Sequence, residues 1–417
     1  MKICLVSAFP PSRRGLNEYG FHIARELQRD PLLSVTILAD EQDSALPELD
    51  EFHVIRCWKF NSANNQVRIL GQLRELKPDV VWFNLLFSTF GTNPLAAFAG
   101  LTAPALARLF GYYTHITLHH LIDNIDLHHA GVRFPRSYRL AGNVATRMLL
   151  MANSVSVLLP AYRRTLIEKY NGDNVHFRAH GILSARPELP RFELRGNPEH
   201  RILAFGKWGT YKRLELLVKA FEEVEQRFPQ ARLVVAGGDH PATPGYVEGM
   251  ARECAHNPHI SFTGYVEEEQ LSELFSSATV VVMPYSSATG SSGVAHTACE
   301  YGLPIVCADI ADFREMGEDE QLAMKFYKTG DEHRLADCIV ELLENPAEQR
   351  EMGEANFSAA LRQTMPMIIQ KYLRSFRQQN SPDILWPASS RLQQLPGWMP
   401  IRSAIFRATA PRWTPWT

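Results

Sequence analysis

The stretch Met283–Pro304, MPYSSATGSSGVAHTACEYGLP, determines how the surrounding chain folds. It joins the end of an apolar run, Val280–Met283, through a loop of Ser, Thr and Gly to a segment of helical spacing that ends at Gly302. A strand that leads through such a loop into a helix presents unpaired backbone N–H groups and the positive end of the helix dipole. This turn therefore suits a phosphate or diphosphate group. The alternative is an ordinary strand–loop–helix connection of an α/β domain.

The length and composition of the chain limit the class of protein. With 417 residues, the chain is too long for one hydrophobic core and fits two α/β domains. Its formal net charge of -2 gives no electrostatic support for a nucleic-acid partner. The 6 cysteines show neither metal-ligand nor disulfide spacing, which indicates free thiols in a reducing compartment and hence a cytoplasmic protein. The first apolar run, Ile3–Ser7, is too short for a signal peptide.

The most apolar segment, Pro94–Tyr113, is not predicted to span a membrane. Two prolines, two glycines and Arg108 interrupt it. We expect a pair of helices packed within the fold instead.

Short apolar strands alternate with helical segments in both halves of the chain. The predicted strands are Ile3–Ser7, Ser34–Ala39, His53–Arg56, Val80–Phe83, His115–Leu118, Ser154–Leu159, Arg201–Phe205, Arg232–Ala236, Ile260–Thr263, Val280–Met283 and Ile305–Ala308. The predicted helices are Asn17–Gln28, Val67–Leu76, Leu214–Phe228, Glu267–Ser277, Val294–Tyr301, Leu335–Glu344 and Ala355–Arg377. Between the halves, Ser184–His200 has the proline-rich, charged composition of a linker. The predicted fold class is α/β, with two doubly wound, Rossmann-like domains facing a cleft.

Two histidine pairs, His119-His120 and His128-His129, follow one predicted strand. Their spacing matches no standard metal-ligand motif, so we predict no metal site. A histidine at the C-terminal end of a strand lies where open α/β sheets bind ligands. The alternative is a loop of exposed or hydrogen-bonded histidines.

Basic residues predominate between Arg133 and Arg178, where only Glu168 and Asp173 are acidic. A basic face would attract an anionic lipid head group or a diphosphate acceptor. The alternative is a solvated helix surface.

The segment 205–221, FGKWGTYKRLELLVKAF, carries Lys207 and Lys212 on the loop between a strand and a helix. Gly206 beside them lets the backbone approach a ligand closely. Two ammonium groups directed at phosphates would stabilise the charge that develops on a leaving diphosphate. The alternative is a pair of solvated lysines in a turn, but the Gly/Ser turn in the same half favours a ligand site.

From Arg201 to Glu315, the order of these motifs resembles the retaining glycosyltransferases of family four, which have the GT-B fold. Their phosphate-clamp pattern, G-R-L-x-x-x-K-G, falls on Gly206, Lys207 and Lys212, with Lys in place of Arg. The resemblance implies that both lysines take part in catalysis by binding the donor diphosphate. It implies further site residues: His119 near the transferred sugar, Tyr265 and Val266 near the nucleotide base, and Gly15, Gly290, Ser291, Ser292 and Gly293 near the donor phosphates.

The sequence departs from the family at its E-x7-E pair, which falls on Thr289 and Thr297. In relatives, the first glutamate contacts the transferred sugar and the second holds the ribose. Threonine can donate hydrogen bonds to either group but carries no charge. Glu300, one turn further along the predicted helix, is a candidate for a displaced partner.

The resemblance implies transfer of a sugar, with retention, from a UDP- or GDP-linked donor to a saccharide or lipid-linked acceptor in polysaccharide or glycolipid synthesis. It implies neither a cofactor nor a metal. Residues 1–190 would form the acceptor-side domain, residues 200–360 the nucleotide-sugar domain, and 361–380 a helix that crosses back to the first domain. The alternatives are a non-catalytic partner subunit that binds a nucleotide sugar, and an epimerase or phosphorylase of the same fold.

The tail 381–417 is rich in Trp, Pro and Arg. Such a composition suits a membrane interface or a protein partner, which would allow a peripheral contact with the inner face of a membrane. The alternative is a tail that packs along its own domain.

Overall fold

The computed structural model describes residues 1–12, 14–42, 50–124, 135–192, 199–209, 211–240, 243–287 and 290–379. The chain forms two compact units. Unit one comprises the described parts of Met1–Asp123, Arg136–Arg178 and Ile369–Thr417, and unit two those of Asn124–Pro135 and Ala179–Ile368. The predicted contents of 381–417, like His128 and His129, lie outside the described residues.

Unit one contains a 7-stranded sheet in the order β3-β2-β1-β4-β5-β6-β7. Its strands are β1 (Lys2–Val6), β2 (Ser34–Asp40), β3 (Val54–Trp58), β4 (Val80–Leu85), β5 (Tyr113–Leu118), β6 (Ser154–Val157) and β7 (Val175–Phe177). All of these strand pairings are parallel. Every residue of β4 is buried, as expected for a parallel sheet covered on both faces.

Helices connect these strands. They are α1 (Asn17–Gln28), α2 (Asn65–Leu76), α3 (Pro94–Leu101), α4 (Ala103–Leu109), α5 (Pro135–Leu149) and α6 (Pro160–Tyr170). In α1, the side chains of Tyr19, Ile23 and Leu27 recur every four residues and are all buried. The predicted helical pair in the apolar segment is confirmed as α3 and α4. Among the described helices, none combines the length and apolarity that crossing a membrane requires.

Unit two contains a 6-stranded parallel sheet in the order β10-β9-β8-β11-β12-β13. Its strands are β8 (Arg201–Phe205), β9 (Arg232–Ala236), β10 (Ile260–Gly264), β11 (Val280–Met283), β12 (Ile305–Ala308) and β13 (Met324–Tyr327). Its helices are α7 (Leu214–Arg227), α8 (Tyr246–Glu253), α9 (Glu268–Ser276), α10 (Gly293–Glu300), α11 (Ala311–Glu320), α12 (Glu332–Glu344) and α13 (Pro346–Leu361). Apolar residues of α7 and α12, such as Leu217, Phe221 and Ile339, form its core together with the strands.

The strand order reverses beside the first strand of each sheet. In unit one, β1 lies between β2 and β4, and in unit two β8 lies between β9 and β11. Open parallel sheets bind ligands at the carboxyl ends of the strands that flank such a reversal. In unit two this rule selects the loops after β8 and β11, which carry Lys212 and the Gly/Ser turn.

The helix predicted over Ala355–Arg377 is wrong as one continuous element. The structure has two helices there, α13 ending at Leu361 and α14 (Met365–Gln379). Pro366 explains the break, because proline has no N–H to continue a preceding helix and is tolerated in a first turn. Residues 369–379 belong to unit one.

The chain passes from unit one to unit two between Arg178 and Ala179, earlier than the linker expected at Ser184–His200. Residues just after this point are tied to unit two by its own backbone. The N–H of Ile182 donates to the carbonyl of Gln363 (3.0 Å), and the N–H of Met365 donates to the carbonyl of Ser184 (3.3 Å). All 6 cysteines are buried and free of disulfides.

Candidate functional site

The loop after β8 brings three chain segments of unit two into close contact. Gly206 has φ +145°, and a Cβ atom on it would lie 2.5 Å from Lys212 Nζ. Gly237, at the end of β9, has φ +106°, and a Cβ there would lie 1.9 Å from the Gly206 carbonyl oxygen. Both positions therefore require glycine. Their packing fixes the path of the loop that carries the two lysines.

Backbone hydrogen bonds join this loop to the residues that follow β11. The N–H of Arg213 donates to the carbonyl of Pro284 (3.2 Å), and the N–H of Ser286 donates to the carbonyl of Tyr211 (2.8 Å). Lys212 and Tyr285 also pair as an isolated antiparallel bridge. These backbone hydrogen bonds hold the loops after β8 and β11 together, so the backbones of the two loops have a fixed relative position.

The ammonium group of Lys212 is held against aromatic rings. Its Nζ lies 4.8 Å from the centroid of the Tyr285 ring and 5.9 Å from that of Trp208. Burial lowers the pKa of Lys212 from its usual range. Lys212 makes no ion pair with a carboxylate of the described residues, so its charge is available to an anion.

Lys207 lies on the same loop but is exposed. The next residue, Trp208, is buried, and its indole N–H donates to the Ala236 carbonyl (2.8 Å). Burial lowers the pKa of His240, and the positive charges of Lys212 and Lys207 lower it further. Both ammonium groups thus raise the positive potential around His240.

The turn after β11 ends in a capped helix. Ser292 is the N-cap of α10, and its Oγ accepts from the N–H of Ala295 (3.3 Å). The N–H of Gly290 donates to the carboxylate of Asp312 (3.0 Å). The N–H groups of Gly293 and Val294 open α10, and neither can find an acceptor within the helix. This is the N–H arrangement that the sequence predicted for an anion.

A pocket of about 190 Å³ lies where these loops meet. It is lined by Tyr211, Lys212, Tyr285, Gly290, Ser291, Ser292, Gly293, Val294 and Phe313. The structure therefore brings one predicted lysine and four predicted residues of the turn to one pocket. Lys207 does not line it, and Thr289 lies outside the described residues.

The remaining predicted residues of unit two do not line this pocket. Tyr265 and Val266 follow β10, and Tyr265 is exposed. The hydroxyl of Thr297 donates to the carbonyl of Gly293 (3.0 Å), within the first turn of α10. Glu300 is the last residue of α10, at the end opposite the pocket, so the geometry does not support it as a displaced partner.

The buried imidazole of His296 contacts the backbone of this turn. His296 Nδ1 lies 2.7 Å from the Ser292 carbonyl oxygen, and its Nε2 lies 2.8 Å from Glu320 Oε2. Burial alone would lower the pKa of His296, but the charge and hydrogen bond of Glu320, with the Ser292 carbonyl, raise it. His180 stacks on this ring at 4.9 Å. Burial, helped by the charge of His296, lowers the pKa of His180 to about 3.

In unit one, His119 follows β5 and is buried. Its Nε2 lies 2.7 Å from Asn84 Oδ1, and its ring contacts Tyr19 edge-on at 4.8 Å. Asn84 in turn donates to Ser7 Oγ (3.1 Å). The ring of His119 is thus oriented by side chains of β4 and α1. Its neighbour His120 is partly buried, and loss of solvation lowers the pKa of this side chain to about 4.

Gly15 lies in the turn between β1 and α1 and is exposed. A buried carboxylate organises this turn: Asp40 accepts from the N–H of Phe9 (3.2 Å) and from Ser12 Oγ (2.6 Å). Arg14 Nε lies 3.5 Å from the same carboxylate. Arg56 Nη1 also lies 4.0 Å from it, so the carboxylate in the turn that carries Gly15 is already paired with cations.

Sequence reasoning missed several residues of the pocket and its support. They are Tyr211, Tyr285, Phe313, Asp312, His180, His296 and Glu320. Tyr285 carried one available signal, because it follows β11 at the edge of the sheet where ligands bind. Tyr211 lies beside Lys212 on the loop after β8. Asp312, Phe313, His296 and Glu320 come together through the packing of α10 and α11, which no local pattern encodes.

Comparison with known proteins identifies the kind of domain that carries this pocket. Residues 199–345 match the family model described as "Glycosyl transferases group 1". Sulfoquinovosyl transferase SQD2 of Arabidopsis thaliana is 32% identical over 150 residues, which cover 35% of this chain and 27% of that protein. The chain thus spans less than a third of the length of the curated relatives that it matches.

Solved structures share the fold over most of the chain. Sucrose-phosphate synthase from Thermosynechococcus elongatus has a TM-score of 0.71 at 18% identity and covers 91% of this chain and 99% of that one. Anabaena HepE in complex with UDP-glucose has a TM-score of 0.68 at 16% identity and covers 91% and 100%. At such identities the likeness establishes the fold. The predicted GT-B class, with two parallel-sheet Rossmann-like domains, is confirmed.

Proposed function

We propose that this protein is a glycosyltransferase that uses a nucleotide-diphosphate sugar, and that the pocket of unit two binds the donor diphosphate. One observation carries the proposal: Lys212 and the N-terminus of α10 line the same pocket, at the strand reversal of the sheet. The match of residues 199–345 to group 1 glycosyltransferases supports it. We infer a UDP-linked donor in preference to a GDP-linked one, because the similar HepE structure holds UDP-glucose.

The chemistry follows from charge development at the leaving group. As the bond between sugar and diphosphate breaks, negative charge builds on the phosphate oxygens. Lys212, assisted by the exposed Lys207, stabilises this charge, and so do the first N–H groups of α10. No metal is needed for a diphosphate that is neutralised in this way. We infer retention of configuration, with the departing diphosphate helping to deprotonate the acceptor hydroxyl.

His119 of unit one has the role of orienting the transferred sugar, since Asn84 and Tyr19 hold its ring in place. Tyr265 and Val266 are assigned to the nucleotide base, and Thr297 to the ribose through its hydroxyl. We assign acceptors to the saccharide and lipid-linked classes, with a cytoplasmic location and a peripheral contact with the membrane where a lipid-linked acceptor is presented.

Release of nucleoside diphosphate tests the assignment. The full chain is incubated with UDP-sugars and GDP-sugars, with and without saccharide and lipid-linked acceptors, and UDP or GDP is quantified by chromatography. We expect release from one donor class and, in the product, the same anomeric configuration as in the donor by NMR. Thermal unfolding of the protein with the same nucleotides and nucleotide sugars measures binding. If none of them raises the melting temperature of the protein and no donor releases its diphosphate, the proposal is wrong.

A second candidate is a non-catalytic partner subunit that binds a nucleotide sugar. One observation favours it. Thr297 replaces the glutamate that holds the ribose in the family, and its hydroxyl already donates its hydrogen to the Gly293 carbonyl. Binding of UDP or UDP-sugars without release of UDP, across the same donors and acceptors, would select this candidate.

A further inference from the structure

The pocket of unit two is lined by a tyrosine whose buried hydroxyl group has no hydrogen-bond partner among the described residues. Tyr285 follows β11, and only 4% of its surface is exposed. Among the residues that the structure describes, its Oη has no hydrogen-bond partner. Burying a hydroxyl without a partner is unfavourable, and buried polar groups in native proteins nearly always have one. A ligand that supplies the missing acceptor would remove this penalty.

The position of this hydroxyl relative to Lys212 indicates what the ligand is. A Cβ atom built on Gly206 would lie 2.5 Å from Lys212 Nζ and 3.8 Å from Tyr285 Oη. The ammonium and the phenol therefore both lie beside the backbone of Gly206, where the lack of a side chain leaves room for the Lys212 ammonium. Both residues line the pocket together with Ser291, Ser292 and Gly293. An acceptor bound in this pocket would have a cation, a hydroxyl and the positive end of α10 in its lining.

We propose that the Tyr285 hydroxyl donates a hydrogen bond to a phosphate oxygen of the bound nucleoside diphosphate, beside Lys212. This inference rests on the proposed function, because it assumes that the pocket holds the donor diphosphate. It adds a binding residue that the phosphate-clamp pattern does not contain. Burial raises the pKa of Tyr285, so the phenol keeps its proton at neutral pH and is a donor, not a second negative charge.

The same unit offers a matched control. Tyr327, at the end of β13, is also buried, and its Oη also has no partner among the described residues. It belongs to the hydrophobic core and does not line the pocket. The two tyrosines therefore share burial and an unpaired hydroxyl, and they differ in access to the pocket.

The test compares Tyr285→Phe and Tyr327→Phe in the full chain. Isothermal titration calorimetry measures the affinity for UDP, for inorganic pyrophosphate and for uridine, and thermal unfolding without ligand measures stability. For Tyr285→Phe we expect about tenfold weaker binding of UDP and pyrophosphate, as the loss of one hydrogen bond to a charged group implies. Binding of uridine stays unchanged, and the melting temperature without ligand does not fall. Tyr327→Phe leaves all three affinities unchanged.

Three results would overturn the inference. UDP affinity of Tyr285→Phe within twofold of the wild-type protein refutes it and leaves the proposed function intact. A lower melting temperature without ligand, with equal losses for UDP and uridine, assigns the hydroxyl a structural role. A wild-type protein that binds none of UDP, GDP and pyrophosphate refutes the proposed function, and this inference with it.

Discussion

Two strand-to-helix turns, one in each unit, have similar sequence patterns but differ in whether the cations beside them are paired with carboxylates. The turn after β1 leads into α1 and contains Gly15, and the turn after β11 leads into α10. In the first, the buried carboxylate of Asp40 accepts hydrogen bonds from Phe9 and Ser12 and lies beside Arg14. In the second, the N–H of Gly290 donates to the carboxylate of Asp312 (3.0 Å), while Lys212, which lines the same pocket, makes no ion pair with a carboxylate of the described residues.

The difference shows why a glycine-containing turn does not by itself identify an anion site. In the first turn, the carboxylate of Asp40 lies beside the guanidinium groups of Arg14 and Arg56, so the charges there already compensate one another and leave no cation for an added anion. A turn that combines unsatisfied helix N–H groups with a buried cation gains from an anion. The sequence predicted phosphate contacts at both turns, whereas the geometry favours the second.

Removal of the cation of the second turn gives the largest expected effect. Lys212→Met keeps a long side chain against the Tyr285 and Trp208 rings but removes the charge. We expect about a 100-fold loss in the rate of diphosphate release, or about 2.7 kcal/mol of transition-state stabilisation. Steady-state kinetics with the donor that the nucleotide-release assay selects measures it. Lys219→Met, on the exposed face of α7, is the control and should retain wild-type rates. Equal activity of the two variants would contradict the role of Lys212.

Removal of the charge of the first turn tests the opposite expectation. Asp40→Asn weakens hydrogen bonds to Phe9 and Ser12 and leaves Arg14 without its partner. We expect a loss of about 2 kcal/mol in the free energy of unfolding of unit one, the usual scale for hydrogen bonds to a charged group. UDP affinity should change little, because the donor pocket lies in unit two. A variant of wild-type stability with much weaker UDP binding would reverse the comparison between the turns.

The regular architecture was predictable from local pattern. Strands β8, β9, β11 and β12 begin and end where the apolar runs predicted, because a buried parallel strand requires an uninterrupted apolar segment. The edge strands β7 and β13 were missed, since they are short and less buried, and their residues carry no such run. The division of Ala355–Arg377 into two helices was missed although Pro366 signalled it.

The candidate site was predictable only in part. Lys212 and the Gly/Ser turn are contiguous motifs, so their chemistry could be inferred before their position was known. The orphan hydroxyl of Tyr285 and the contact of His296 with Glu320 depend on which helices pack together. Such contacts join residues that lie far apart in sequence, and a single sequence holds no record of them.

The His296–Glu320 pair predicts a pH dependence confined to the second turn. The pKa of His296 is raised on folding, so its stabilising contribution is complete below the pKa of the unfolded chain and is lost as pH rises through the folded pKa. His180 acts in the acidic direction: its pKa is lowered to about 3, so stability falls as pH drops from the usual histidine range towards that value. The turn is therefore most stable near the usual pKa range of histidine, because His180 destabilises it at lower pH and His296 at higher pH.

Hydrogen exchange of the α10 amides, expressed as protection factors at pH 6 and pH 8.5, measures the alkaline limb. We expect protection to fall at the higher pH in the wild-type protein. Glu320→Gln should lose about 1 kcal/mol of local stability at pH 6, because it replaces a charge-assisted hydrogen bond with a neutral one, and should show little further change at pH 8.5. Protection that is independent of pH in both proteins would show that His296 is neutral throughout.

The smallest expected effect is for Gly293 of the second turn, where the question is whether a ligand needs its N–H group or the absence of its side chain. Gly293 is not among the glycines with positive φ, and a Cβ atom on it would meet only the His180 ring, at 4.0 Å. The proposed phosphate contact would use the N–H of Gly293, which alanine retains. Gly293→Ala should therefore bind UDP within threefold of the wild-type protein, whereas Gly206→Ala should bind more weakly, because its Cβ would displace the ammonium of Lys212. Calorimetric titration with UDP compares them. A severe loss of UDP affinity in Gly293→Ala would mean that the ligand approaches the turn closely enough to exclude a methyl group. The position of the Lys212 ammonium beside Gly206 would then no longer be the main determinant of binding.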